Sequence, residues 1–412
     1  MRTLSFLLLT LSEVFSLAAL SQTTIHVPAD QPTIQSAIDA AQNGDTVLVA
    51  PGTYAESIDL KGKAITVTSG ATSSDGATAT IIQAPTNAPD VTFQSGEPLS
   101  ATLNGFTLTH PANIKIGGSQ STNGNAIAIS HASATITNNL ITGNPGSGVS
   151  VAVNTPSLLI QGNNITGNHS TGLSALDIET VGGNIQILSN RVTNNTGSIF
   201  VTDATSSLIQ NNVVTQNGDG IFVLDTLNVQ VIQNLIYNNA NADYSGLEIA
   251  NLPAYPTTIV VTNNTIASGP ALPPLWPPGQ GSALDIGVVV TSQATISNNL
   301  IIGETRGPAF GCRYVATDFS GKLESPPANA VFSHNDVFQA DTAQSYTCAL
   351  PANTIANLSE DPEFIDYSKG NLHVQTSSPI VAAGDPNAPV IPGTDLAGKN
   401  SLRLRHSGHG SV

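Results

Sequence analysis

A chain of 412 residues with only 10% charged and 5% aromatic residues is poorly suited to a helical bundle. Its 36 Gly and 37 Asn, set among many Val, Ile, Thr and Ala, favour short strands joined by turns. Twelve basic against 28 acidic residues leave a net charge of −16, so DNA or RNA is repelled over most of the surface and nucleic acid is excluded as a partner.

The chain opens with Met1-Arg2-Thr3, an apolar run from Leu4 to Leu11, and Leu17-Ala18-Ala19-Leu20-Ser21. This is the order of a cleavable export signal over residues 1–21. No later run reaches the roughly 18 apolar residues of a membrane helix, so no membrane span is expected. The expected product is a secreted or periplasmic monomer.

Residues 22–45 read as an N-terminal cap. Within Pro32 to Ala41, the side chains Ile34, Ile38 and Ala41 share one face of a short helix, which stops near Gly44 before the strand Thr46-Val47-Leu48-Val49. A repeat domain is expected over 46–350. Its early turns include Ile65-Thr66-Val67, Ile81-Ile82 and Leu103 to Leu108, with Phe106 in the phase that Asn takes later.

An apolar residue, two positions, Asn, one position, then Ile or Val recurs eight times, on Asn139, Asn163, Asn190, Asn212, Asn234, Asn264, Asn299 and Asn335. The intervals are 24, 27, 22, 22, 30, 35 and 36, a 22-residue unit carrying insertions. Ankyrin, tetratricopeptide and propeller units are longer, and a leucine-rich repeat needs Leu where Ile, Val and Thr stand here. A parallel β-helix of about ten to twelve coils fits, with strands stacked ~4.8 Å apart and the Asn side chains forming a ladder. A second strand follows each Asn and opens with Gly at 148, 172, 197, 220, 246 and 281, read as a turn with positive φ.

Cys312 and Cys348 lie 36 residues apart, one local repeat, and are expected at one phase of adjacent coils within disulfide reach. Residues 351–390 read as an end segment and 391–412 as a disordered tail.

Pro32-Thr33-Ile34-Gln35-Ser36-Ala37-Ile38, Gly44-Asp45-Thr46-Val47, Pro51-Gly52-Thr53-Tyr54-Ala55-Glu56 and Lys61-Gly62-Lys63-Ala64-Ile65-Thr66-Val67 resemble the opening of right-handed parallel β-helix proteins of the pectate-lyase-like superfamily. Asp361-Pro362-Glu363-Phe364, Gly370-Asn371-Leu372 and Ser378-Pro379 resemble the C-terminal segment of secreted bacterial β-helix repeat proteins. The resemblance implies an all-β, right-handed parallel β-helix. The later Asp, Gln and Arg motifs of pectin methylesterases have no match, nor do the Asn-Thr-Asp and Arg-x-Lys motifs of polygalacturonases, so neither activity is carried over.

Stacking turns equal phase into proximity, and Asp203 and Asp225 share a phase, with Glu179 and Asn154 at corresponding strand ends and Asp177 two positions before Glu179. Such carboxylates suit a Ca²⁺ site or a coupled acid/base pair, and equally suit turn caps. Arg306 and Arg313 are the best-placed cations for a lyase. The long insertions between Asn234 and Asn335 carry Tyr244, Tyr255 and Trp276, side chains able to stack on sugar rings. Scattered histidines show no metal-ligand spacing, and no cofactor beyond Ca²⁺ is suggested. Two functions stand: a polysaccharide-active enzyme, a lyase on uronate-containing glycan before a hydrolase, or a non-catalytic extracellular binding solenoid.

Overall fold

The computed structural model describes residues 22–110, 124–169, 175–240, 246–250, 257–267, 283–289, 293–303, 309–315, 329–339, 350 and 352–385. The export segment and the tail beyond 385 lie outside them.

Three parallel sheets of 13, 11 and 10 strands wind into one solenoid, each full coil giving one strand to each. One coil reads Ala134–Thr137 in the thirteen-stranded sheet, Leu140–Thr142 in the eleven-stranded sheet and Val149–Ala152 in the ten-stranded sheet. Pairing is in register, so the chemistry of one position repeats up the stack. Ile136, Ile160, Ile187, Ile209, Val231, Val261, Ile296 and Phe332 form one such interior column, none more than 4% exposed. Each fully buried aliphatic side chain contributes about 1.5–3 kcal/mol, and β-branched residues suit the flat pleat.

The Asn ladder occupies the turn between the thirteen- and eleven-stranded sheets. Asn212 donates its backbone N–H and its Nδ2 to Asn234 Oδ1 at 2.9 and 3.0 Å, and Nδ2 also donates to Ile187 O at 2.8 Å. The same geometry runs from Asn139 to Asn335 and one rung further, to Asn357, with Nδ2 to Oδ1 distances of 2.9–3.1 Å. Phe106 begins the column, its N–H donating to Asn139 Oδ1. The residue before each ladder Asn is left-handed, with φ of 56° at Asn138, 59° at Asn211, 58° at Asn263 and 57° at Asn298. Asn tolerates that conformation better than most residues, so the recurrent Asn-Asn pair has two separate causes.

A second ladder stands between the eleven- and ten-stranded sheets. Asn144, Asn168, Asn195, Asn217 and Asn239 link through side-chain hydrogen bonds of 2.8–3.1 Å. Each lies five residues beyond a member of the first ladder, so this regularity too is present in the sequence.

The strand-opening glycines have a different reason from the one expected. Gly148 and Gly246 do not have positive φ; a Cβ on Gly246 would stand 1.8 Å from Ala283 O, and one on Gly148 would stand 2.9 Å from Ile165 Cγ2. Close approach of backbone, rather than turn handedness, requires Gly there.

The N-terminal helix spans Ile34–Ala40, capped by Thr33 in a reciprocal pair with Ser36, and buries Ile34, Ala37 and Ile38. Glu56 accepts the N–H groups of Ile34 and Gln35 at 3.0 and 2.9 Å. At the other end Lys63 Nζ donates to the carbonyls of Ile38, Asp39 and Ala41 at 2.6–2.9 Å. The helix therefore covers the open end of the coil with both termini satisfied.

The winding continues past the expected boundary at 350: Asn353–Ile355 pairs in parallel with Val331–Ser333. Beyond it, the antiparallel pair Phe364–Asp366 and Asn371–Val374 belongs to a segment that folds back over the outside of the eleven-stranded sheet. Phe364, Tyr367 and Ile380 pack there on Ala267, Leu300 and Ile302.

Candidate functional site

The exterior of the ten-stranded sheet differs from the rest of the solenoid. In the strand Leu176–Glu179, Leu176 and Ile178 enter the core, so Asp177 and Glu179 face outward. The register runs Ser150, Asp177, Phe200, Phe222, Glu248 on successive strands. Phe200 and Phe222, half-buried, lie 5.4 Å apart between ring centroids at a 37° tilt. A carboxyl group thus stands on each side of an aromatic pair, over a length of about 14 Å at ordinary strand spacing.

Asp177 is 7% exposed, and no hydrogen bond to its carboxyl is present among the described residues. Burial, and secondarily the Glu179 charge, push it up to about 6. Glu179 is exposed and Glu248 is buried. Asp177 is therefore an acid that keeps its proton well above the ordinary carboxyl range, with an exposed carboxylate two positions along the same strand.

Glu179 does not share the column of Asp203 and Asp225, contrary to the expectation for these three carboxylates. Glu179 registers with Thr202, which puts Asp203 opposite Thr180. Asp203 and Asp225 occupy successive turns after their strands, with φ of 57° and 48°. Thr202 Oγ1 donates to Asp203 Oδ2 at 3.1 Å, and the Asp203 and Asp225 N–H groups donate to Leu224 and Ala250 carbonyls. Asn154 also has a left-handed φ, 57°. The left-handed turn residue shifts the phase by one, which a count of positions alone does not reveal. Asp203 and Asp225 therefore sit at the rim of the face carrying Asp177 and Glu179.

Arg313 belongs to the strand Phe310–Val315 and registers with Gly287, five strands from Glu179 along the sheet. That separation is about 24 Å at ordinary strand spacing. Cys312 registers with Ile286 on the neighbouring strand. The side chains of Cys312 and Arg313, and the residues Arg306, Tyr244, Tyr255, Trp276 and Cys348, lie outside the described residues. Among the described residues no three His, Cys, Asp or Glu side chains gather as a metal site, and no helix is long and apolar enough to cross a membrane.

A second polar centre escaped the sequence reading. His110, buried beside the first rung of the second ladder, has Nδ1 2.9 Å from Asn144 Oδ1 and Nε2 2.9 Å from Ala88 O. Both neighbours are acceptors, because Asn144 Nδ2 is already donating to Asn168 and Leu108. Asp90 Oδ2, also buried, lies 3.7 Å from His110 Nδ1, and burial pushes this carboxyl up to about 8. The signal for it was weak, since Asp90 and His110 sit in different coils and match no motif.

A family model described as a right handed beta helix region matches residues 90–239 and 125–301. No curated protein matches the chain.

Proposed function

The chain belongs to the right-handed β-helix family, and on that premise we propose that it is an exported protein holding an extended polysaccharide along the exterior of its ten-stranded sheet. The observation that carries this reading is the Phe200–Phe222 pair in register between Asp177 and Glu248. Sugar rings present C–H faces to aromatic rings and hydroxyls to carboxylates, so a row of both along one groove suits a glycan. Asp177 would protonate a glycosidic oxygen, and Glu179, on the same face, is the second carboxylate such cleavage uses. Hydrolysis fits better than elimination, because elimination needs a cation beside the uronate and the described strands around Asp177 carry none. The non-catalytic alternative draws support from Asp203 and Asp225, which stand at left-handed turn positions.

The test is a panel of polysaccharides scored for binding by affinity electrophoresis, for hydrolysis by reducing ends, and for elimination by the ultraviolet absorbance of unsaturated uronate. Binding that weakens about tenfold in the Phe200→Ala, Phe222→Ala double variant is expected. Binding with no dependence on these rings places the glycan elsewhere; binding without product leaves the solenoid as a lectin-like protein. Export further proposes a bridge between Cys312 and Cys348, worth about 4 kcal/mol by loop entropy. Alkylation mass before and after reduction checks it.

A further inference from the structure

Resting on that reading, we infer that the glycan bound on the ten-stranded sheet carries ammonium groups, as a polymer of 2-amino sugars does, and is not a polyuronate. The strands and rim of this face hold Asp59, Asp177, Glu179, Asp203, Asp225 and Glu248. Among the described residues the cations of this face are Arg313, in the last strand of the sheet, and Lys61, just past Asp59 at the other end and paired with Asp39. A chain of net charge −16 adds to the same sign of field. A polyanion laid along this surface meets like charge on each of the four consecutive strands from Asp177 to Glu248, whereas an ammonium-bearing polymer meets carboxylates there.

Two features beyond charge point to a cation in contact with the face. Asp177 is 93% buried and has no hydrogen-bond partner among the described residues. Such a carboxyl, its oxygens still open to solvent, has room to accept an incoming N–H donor that also carries positive charge. Beside it, the faces of Phe200 and Phe222 attract cations through the ring quadrupole while stacking the sugar. Carboxylate and aromatic ring at adjacent rungs is the combination that distinguishes an amino sugar from a neutral one. A basic peptide satisfies the charge less well: both neighbours of every inner strand are already paired, so no backbone edge is open within the face for strand addition.

The experiment compares three oligosaccharides of equal length on the full exported chain: fully deacetylated glucosamine oligomer, cello-oligosaccharide and oligogalacturonate. Affinities are measured by calorimetry in low and high salt. The expected order is the glucosamine oligomer tightest, about tenfold over the neutral oligomer, with no measurable oligogalacturonate binding. High salt should narrow the tenfold ratio toward one without needing any variant. The Asp177→Asn, Glu179→Gln double variant should lower the same ratio in low salt. Equal affinity for the charged and neutral oligomers, or tight binding of oligogalacturonate, overturns the inference while leaving glycan binding intact. Binding of none of the three overturns the proposed function itself. Oligolysine binding as tightly as the glucosamine oligomer, in a manner indifferent to Phe200→Ala and Phe222→Ala, overturns the assignment to a sugar.

Discussion

The thirteen-stranded and ten-stranded sheets share one winding, one strand spacing and one interior, yet their exteriors are opposites. None of the thirteen strands of the first contains Asp, Glu, Lys or Arg; outward positions are Thr, Ser, Asn and Gln with occasional Leu or Val, His26 in the first strand and Ile355 in the last. The ten-stranded sheet places Asp59, Asp177, Glu179, Glu248 and Asp285 in its strands. Acidic residues are poor strand formers. Coil geometry does not demand them on one side, since the other side is built without any. Their concentration beside exterior Phe residues therefore locates selection for something other than folding.

The largest expected effect falls on what the faces have in common. Asn212→Ala leaves the Asn190 N–H and Nδ2 without their acceptor in the core, a loss of roughly 3 kcal/mol. Asn357→Ala, at the partly buried end of the same ladder, should cost about 1 kcal/mol. Urea unfolding of the two variants checks the contrast, and equal losses would mean the rungs do not stack as an internal network. Next, Phe200→Ala with Phe222→Ala should weaken glycan binding about tenfold, whereas Leu208→Ala with Val260→Ala, outward on the thirteen-stranded sheet, should leave it unchanged. Equal effects from both pairs would erase the distinction between the faces.

Smaller is the dependence of stability on pH. Folded Asp177 and Asp336 keep their protons to about 6 and Asp90 to about 8, whereas an unfolded carboxyl loses its proton near ~3.9. Between those values the folded chain binds more protons, so raising the pH favours unfolding. Tm should fall across this window, and Asp177→Asn should remove part of the fall below pH ~6. A Tm that rises over the same range would contradict the burial of these groups. The smallest effect is Glu179→Gln, exposed on its strand, which should shift Tm by less than about 0.5 kcal/mol equivalent while altering binding of charged oligosaccharides.

Much of the fold was legible because a solenoid makes tertiary neighbours out of sequence repeats. The spacing of Asn139 to Asn335 identifies the coil, and Phe106 falls in the Asn phase by the same spacing. The second ladder was equally present, five residues on, but Asn144 and its successors lay in stretches read only as turns. The site was less legible. Asp203 and Asp225 stand thirteen residues beyond their ladder Asn and do occupy equivalent turns, whereas Glu179, matched to them as a strand end across an insertion, registers with Thr202 one position earlier. Phe200 and Phe222 carried no motif and read as ordinary strand residues.

By itself, then, the sequence determined the winding: β-branched residues at alternating positions, Asn at a stacked turn and a capping helix at one end admit one architecture, since every local preference agrees with it. Which side chains meet was decided only by the tertiary structure. Register between coils sets the faces, placing Asp177 in the column of Phe200 and Asp203 three positions further along, at the rim. The back-folded C-terminal segment covers the last strands of the eleven-stranded sheet, and the pairing of coils sets Asp177 beside Phe200 on the exterior of the ten-stranded sheet.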